Sequence, residues 1–182
     1  MDLKLPSALS FDKNPWRTFL IFSTVLMLVL YWQAFSSPFV YDDLDQIVHN
    51  PNLDVWSNFV HRFLLRPVSL NTSFLGYGGS TYRPLFWLSL FVDRAIWGLN
   101  PSGFHATNVL LHLLNGNLVF ALFRRLKAPA ASAAAVGLLW LSLPINTEVV
   151  AWVSGRAYVL CTFFMLLCLL STLAYIQRAG VA

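Results

Sequence analysis

Three carboxylates lie close together at Asp42, Asp43 and Asp45, directly after the first long apolar run of the chain. Adjacent carboxylates repel each other, so they need a nearby cation or hydrogen-bond donor to stay ionised. Such a pair is suited to a general base or a metal ligand. The alternative is that these acids only begin a solvated loop or cap a helix. Their position among aromatic residues at the end of an apolar run favours a functional site.

A second group of polar residues, His105, Asn108, His112 and Asn115, is spaced three, four and three residues apart. On an α-helix this spacing forms one polar stripe. Lipid cannot satisfy such groups, so the stripe is expected to face other helices or a wet cavity. The alternative is interhelical packing, in which amide groups hold spans together, and we favour it for Asn115.

Cationic residues that could bind a phosphate are Arg83 and Arg156. A guanidinium binds phosphate through two parallel hydrogen bonds, and outside a membrane that phosphate could belong to a lipid-linked substrate. Glu148 and Arg156 are the only charged residues between positions 144 and 156. A mutual ion pair is therefore the alternative for Arg156, and an ion pair is likewise the alternative for Arg83.

The composition places these residues in a membrane protein. Of the 182 residues, 57% are hydrophobic and 11% are charged, whereas a soluble domain has about 25% charged residues. The pattern predicts an all-α polytopic fold with four spans, at about 18–35, 104–123, 128–143 and 157–176. The third span is short, and a cleaved signal peptide is the alternative for the first. Cys161 and Cys168 lie on one face of the fourth span, too far apart to bridge, and are interpreted as structural.

The basic residues give these spans a direction. Seven basic and two acidic residues fall on one side, against five and six on the other, which predicts that both termini are cytoplasmic and that the acidic loop is periplasmic or lumenal. The seven are Lys4, Lys13, Arg17, Arg124, Arg125, Lys127 and Arg178. The net charge of +4 is small and no basic run is present, so nucleic acid is not expected as a partner.

The outer loop from residue 36 to residue 103 is rich in aromatic residues and is expected to be ordered against the membrane surface. Residues 53–65 are predicted to form an amphipathic helix. Residues 83–97 are predicted to form an interfacial helix with Pro84 in its first turn. Gly76, Gly78 and Gly79 indicate a flexible turn between them.

Taken together, these segments resemble the amino-terminal part of the transmembrane and tetratricopeptide-repeat O-mannosyltransferase family, within the GT-C glycosyltransferases. The resemblance is an ordered set of short motifs spread over nearly the whole chain. The motifs are Phe39-Val40-Tyr41-Asp42-Asp43 with Ile47 and Asn50-Pro51, Tyr82-Arg83-Pro84-Leu85, Gly98-Leu99-Asn100-Pro101 with Gly103-Phe104-His105, Asn108, Leu111-His112, and Pro144, Thr147-Glu148 and Ser154-Gly155-Arg156.

The resemblance implies a GT-C membrane glycosyltransferase that moves a sugar, mannose in this family, from a polyprenyl phosphate to a Ser or Thr hydroxyl of an acceptor protein at the outer membrane face. It implies Asp43 as the catalytic position, with Asp42 beside it. From the residues themselves, one carboxylate takes the acceptor proton and an arginine stabilises the leaving phosphate. Arg83 and Arg156 are the predicted phosphate ligands, the predicted supporting residues are His105, Glu148 and His112, and a divalent cation is left open.

Three departures from the family pattern bear on activity. Leu143 and Asn146 stand where the family often has histidines, and Tyr158 stands where it often has an acid. No tetratricopeptide period is present, and residues 1–182 form one predicted membrane domain. These departures lead us to expect a fragment, a split subunit with a carboxy-terminal membrane partner, or a reduced GT-C module. The alternative to an enzyme is a non-catalytic membrane scaffold that keeps the fold.

Overall fold

A computed structural model describes residues 14–65, 68–69 and 80–180. The regular elements of these residues are overwhelmingly helical, and the two strands among them are each two residues long. In chain order the elements are α1 (Pro15–Tyr31), a 3-10 turn (Trp32–Ser36), a π-turn (Leu44–Val48), a 3-10 turn (Pro51–Leu53), α2 (Trp56–Phe59), a π-turn (Val60–Leu64), β1 (Val68–Ser69), β2 (Ser80–Thr81), α3 (Pro84–Trp97), α4 (Pro101–Arg125), α5 (Ala130–Ser142), α6 (Ile145–Ala151), a 3-10 turn (Val153–Gly155) and α7 (Arg156–Ala179).

Three helical segments of the described chain are long and apolar enough to cross a membrane: Pro15–Ser36, Pro101–Arg125 and Val153–Ala179. They lie at the predicted first, second and fourth spans. The predicted third span corresponds to α5 followed by α6, which together pass the same test as one broken span bent by 64°. The all-helical fold is therefore confirmed, with three candidate membrane spans in the described residues, or four if the bent pair is one.

The bend between α5 and α6 lies at Leu143 and Pro144. A residue before proline is sterically excluded from the α-region, and Leu143 is extended, with φ −61° and ψ 125°. Ending α5 there leaves its last carbonyls without helical partners. The Trp140 carbonyl accepts a long bond from the Leu143 N–H at 3.4 Å and a shorter one from the side-chain amide of Asn146 at 2.8 Å. The bend turns the chain toward the acidic segment.

The outer segment departs in part from its predicted form. The prediction of one continuous helix at 53–65 is wrong. The chain there is divided into the 3-10 turn Pro51–Leu53, helix α2 and the π-turn Val60–Leu64. The predicted helix at 83–97 is confirmed as α3, which ends at Gly98 with φ +62°; its interfacial location stays a prediction. A β1–β2 antiparallel pair joins these halves. The predicted glycine turn at 76–79 lies outside the described residues.

Aromatic residues hold this outer segment against the bundle. Phe59, Phe63, Trp87 and Phe104 are all buried in one cluster, and the Phe63 and Trp87 rings stack with centroids 4.2 Å apart. Burying one such side chain away from water stabilises a fold by roughly 1.5–3 kcal/mol. This cluster fixes α3 on α4, and with it the start of α3.

Helix α4 lies at the centre of the bundle and packs on α1, α5 and α7. The carboxy-terminal half of α4 contacts α1 through the stacked rings of Phe19 and Phe120, whose centroids are 4.4 Å apart. Asn115 donates to the Val159 carbonyl of α7 at 2.9 Å, which confirms its packing interpretation. By contrast, α7 buries only three of its own residues, so most of its surface faces outward. Cys161 and Cys168 are free and lie on that outward surface, so they do not form a disulfide with each other, as predicted.

Candidate functional site

The acidic segment begins with a tight turn formed by Val40, Tyr41, Asp42 and Asp43. The Asp43 N–H donates to the Val40 carbonyl at 3.0 Å, and the Val40 N–H donates back to Asp43 Oδ2 at 3.3 Å. At the turn, Tyr41 has φ +50° and a side chain that is 84% exposed. A positive φ is rare for an aromatic residue and is found where the surrounding structure enforces it. The surrounding structure therefore enforces the conformation of this turn.

Asp43 is fully buried, with 0% exposure. Its Oδ1 accepts a hydrogen bond from the Ser154 backbone N–H at 2.8 Å and another from the Ser154 hydroxyl at 2.5 Å. These bonds join segments 111 residues apart. With the Val40 bond, the carboxylate accepts three donors and needs no cation in contact with it. Sequence reasoning did not identify Ser154 as a site residue, although it lies in the Ser-Gly-Arg motif.

The other two carboxylates of the segment are more accessible. Asp42 is half-buried, and no described residue donates a hydrogen bond to it. Asp45 is exposed and lies 3.8 Å from His49. The three acids therefore differ in environment: Asp43 is anchored, Asp42 lies at the surface of the turn, and Asp45 is solvated.

Arg156 is fully buried and its guanidinium is surrounded by protein acceptors. Its Nε donates to Asn108 Oδ1 at 2.6 Å, its Nη1 donates to the Ser89 carbonyl at 3.2 Å, and its Nη2 donates to the Phe104 carbonyl at 2.9 Å. Nη2 also lies 2.6 Å from Asp93 Oδ2. Each guanidinium nitrogen thus has a protein partner, and the network joins α3, α4 and α7.

Asp93 is the ion-pair partner of Arg156, so the predicted alternative of a Glu148–Arg156 pair is wrong. Asp93 Oδ1 also accepts a hydrogen bond from the Thr107 hydroxyl at 2.8 Å. Burial raises the pKa of Asp93, and the neighbouring guanidinium offsets part of that effect. The pair could not be found from the sequence, because Asp93 lies in a helix whose charged residues could equally face water.

Close packing against the backbone of Val149 explains why the middle residue of the Ser-Gly-Arg motif is a glycine. A Cβ at this position would lie 2.7 Å from the Val149 carbonyl oxygen, closer than real Cβ contacts allow. Glycine therefore allows the 3-10 turn Val153–Gly155 to pack closely against α6. This close approach allows Ser154 and Arg156 to reach their partners on opposite sides of the turn.

The predicted histidines are both buried in the bundle. His105 interacts electrostatically with Asp43 and lies close to the backbone of Ser37 and Pro38, while neither ring nitrogen makes a well-directed hydrogen bond to a described residue. His112 lies deeper, where its Nε2 is 3.3 Å from the Leu141 carbonyl. His105 is thus near the acidic segment, whereas His112 of α4 packs against α5.

Glu148 lines a pocket of about 330 Å³ at the acidic turn, together with Val40, Tyr41, Thr147 and Trp152. Its carboxylate is exposed. The pocket combines aromatic surface with one carboxylate, and Tyr41 of its lining directly precedes Asp42. Such a combination suits a sugar, whose faces pack on aromatic rings and whose hydroxyls bond to carboxylates.

Arg83 is exposed at the start of α3 and forms no ion pair with a described residue. It differs in this from Arg156, although both were predicted to bind the phosphate. Within the described residues, no three His, Cys, Asp or Glu side chains are grouped to hold a metal ion.

Comparison with known proteins identifies relatives for most of this chain. The mouse and human proteins described as protein O-mannosyl-transferase TMTC2 are each 36% identical to it over 160 residues, which is 87% of this chain and 19% of each relative. Human TMTC4 is 36% identical over 162 residues, 77% of this chain and 21% of that protein. Drosophila melanogaster Tmtc1 is 35% identical over 135 residues, 74% of this chain and 16% of that protein.

No protein-family profile and no solved structure matches the chain. The chain spans about a fifth of the length of the curated relatives that it matches. The matched region includes most of the residues described above. The chain is homologous to the amino-terminal fifth of the TMTC protein O-mannosyl-transferases.

Proposed function

We propose that this chain is a GT-C-type membrane glycosyltransferase centred on the acidic turn, which transfers a sugar from a polyprenyl phosphate to an acceptor hydroxyl. The observation that carries the proposal is the acidic turn. Asp43 is buried and anchored by Ser154, and Asp42 lies between Asp43 and Tyr41, which lines an aromatic pocket, in a chain homologous to O-mannosyl-transferases. Mannose as the sugar and a protein Ser or Thr hydroxyl as the acceptor follow from the activity for which those relatives are named.

Asp42 is the better candidate for the general base, although the resemblance points first to Asp43. The base must touch the acceptor hydroxyl, and Asp43 is fully buried with both oxygens bonded. Asp42 is half-buried and directly follows Tyr41, which lines the pocket. We therefore assign proton acceptance to Asp42 and positioning of the turn to Asp43.

In the proposed step, the acceptor oxygen forms a bond to the anomeric carbon of the sugar while the bond from that carbon to the phosphate oxygen breaks. The acceptor proton moves to the Asp42 carboxylate, and the bonding electron pair leaves with the phosphate. The developing negative charge needs a fixed cation. Arg83 is exposed and can supply it, whereas Arg156 is already bonded to protein acceptors. We therefore assign Arg156 to positioning.

The remaining predicted residues fall into two groups. Glu148, with Tyr41 and Trp152, lines the pocket and is assigned to the sugar hydroxyls. His105 and His112 are buried and are assigned to positioning of α4 against its neighbours. On this proposal the acidic turn lies at the periplasmic or lumenal face, because the predicted cytoplasmic basic residues lie at the other end of the helices.

The direct test is sugar transfer by the purified chain in lipid nanodiscs. The donor is a mannosyl polyprenyl phosphate and the acceptor is a Ser/Thr-rich peptide, whose gain of one hexose is detected by mass spectrometry. Asp42→Asn is expected to abolish transfer, because the amide cannot accept the proton. Asp45→Asn is the matched control, since Asp45 is exposed and only three residues away, and it is expected to retain transfer.

Two outcomes would contradict the proposal. If wild-type chain transfers no sugar while it remains folded, the chain is not sufficient as an enzyme, and the scaffold alternative is favoured. If Asp42→Asn transfers as well as wild type, the acidic turn is not the catalytic centre.

A further inference from the structure

A groove of about 410 Å³ runs between the start of α3 and the first turns of α7. Its walls are almost entirely apolar, and on α7 they are formed by Ala157, Leu160, Cys161 and Phe164. These positions are spaced three and four residues apart and form one stripe on the helix. The stripe spans about 10 Å along the axis, at about 1.5 Å per residue. The groove is therefore a slot parallel to a membrane-crossing helix.

The polar end of the groove carries positive charge. Arg83 lines it and is exposed, and Ala157 and Tyr158, in the first turn of α7, line the same groove. Helix amino termini carry a partial positive charge that favours anions. Tyr158, 59% exposed, lines the groove one residue further on and presents a hydroxyl. One anionic group on one apolar chain complements this arrangement.

The groove is also fixed to the acidic turn. Ser154, which anchors Asp43, is three residues from Ala157 in the groove wall. Arg156 lies between them and bonds to Ser89 of α3, so the two walls of the groove are held together at the level of the site. A molecule in this groove would have its anionic end beside the residues that hold the acidic turn.

We propose that this groove holds the first isoprene units of a polyprenyl phosphate, with the phosphate at Arg83 and the amino terminus of α7. The proposal rests on the proposed function and assigns the donor's lipid to a place in the chain. A single slot with a single exposed cation fits one chain and one phosphate. A phospholipid would bring two acyl chains to it.

Cys161 provides a probe inside the groove, because it is free and exposed there. The experiment labels Cys161 with bimane in a Cys168→Ser chain, in phosphatidylcholine nanodiscs, and titrates undecaprenyl phosphate. We expect a saturable fluorescence change. Arg83→Gln is expected to weaken the apparent Kd by about tenfold, whereas Arg83→Lys keeps the charge and is expected to remain within about threefold.

A second groove in the same protein serves as the matched control. It lies between α1 and α5, has a volume of about 680 Å³, and has no charged residue in its lining. Leu139 is 65% exposed in that lining. Bimane at Leu139→Cys, in a chain with both native cysteines replaced by serine, is expected to give no saturable response. An equal response there would mean nonspecific uptake of lipid and would overturn the proposal.

Two further lipids decide the nature of the occupant. Undecaprenol, which lacks the phosphate, is expected to bind at least tenfold more weakly, and equal binding would overturn the phosphate site. Phosphatidic acid is expected not to saturate the Cys161 signal, and saturation would identify the groove as a phospholipid site. Binding without sugar transfer would leave the groove assignment standing and remove the proposed function. Sugar transfer without binding at Cys161 would leave the proposed function standing and overturn the groove assignment.

Discussion

The bond between Asp43 and Ser154 allows the charge state of the buried carboxylate to be measured. Ser154→Ala removes the hydroxyl donor 2.5 Å from Asp43 Oδ1 and leaves the backbone donor at 2.8 Å. A hydrogen bond to a charged group contributes about 1.5–3 kcal/mol, and a neutral one about 0.5–1.5 kcal/mol. The cost of the substitution therefore depends on whether Asp43 is ionised.

We expect Ser154→Ala to lower the free energy of unfolding by about 2 kcal/mol in the wild-type chain and by about 1 kcal/mol in an Asp43→Asn background. The difference, about 1 kcal/mol, is the coupling energy of the pair. Asp43→Asn is itself expected to lower the free energy of unfolding by about 1 kcal/mol. The asparagine oxygen keeps both bonds from Ser154, so the NH₂ group faces the Val40 N–H. Two donors cannot bond to each other, and the bond that is lost is the longest of the three, at 3.3 Å.

The measurement is unfolding in mixed micelles, followed by tryptophan fluorescence, for wild type, both single variants and the double variant. Ser142→Ala is the control, since its hydroxyl is exposed and bonds only within its own helix at 3.0 Å. It is expected to change stability by less than about 0.5 kcal/mol. Equal costs of Ser154→Ala in the two backgrounds, within about 0.3 kcal/mol, would refute an ionised, anchored Asp43.

The other predictions concern packing, charge pairing and topology. Gly155→Ala places a Cβ 2.7 Å from a backbone carbonyl oxygen, so it is expected to cost about 1–3 kcal/mol; an unchanged thermal midpoint in detergent would contradict the close approach. Arg156→Met leaves Asp93 buried without its partner and is expected to cost about 3–5 kcal/mol. Replacing Asp93 by leucine as well is expected to restore much of the monodisperse fraction in size-exclusion chromatography, and no recovery would argue against the ion pair. Single cysteines at Asp45 and at Lys127, in a chain without its native cysteines, are expected to react with an impermeant maleimide from opposite sides of the membrane; labelling from the same side would contradict the predicted orientation.

The positions of the long helices follow from the sequence, since a span is a local property of about 20 consecutive residues. The polar stripe on α4 follows for the same reason, because helical spacing alone places Asn108 and Asn115 on one face. The order of the short motifs, from the acidic segment to Ser-Gly-Arg, also indicates the right family. These features depend on neighbours in the chain and not on its fold.

The environment of each charged side chain was decided only by the tertiary structure. Asp42 and Asp43 are adjacent in sequence, yet one is half-buried and the other fully buried, because Ser154 is brought to Asp43 from 111 residues away. Arg83 and Arg156 had the same interpretation, yet one is exposed and the other is enclosed between α3 and α4. The cost of burying a charge depends on all groups that surround it. Those groups come together only when the bend at Pro144 returns the chain to the first outer loop, so no local pattern could distinguish the members of either pair.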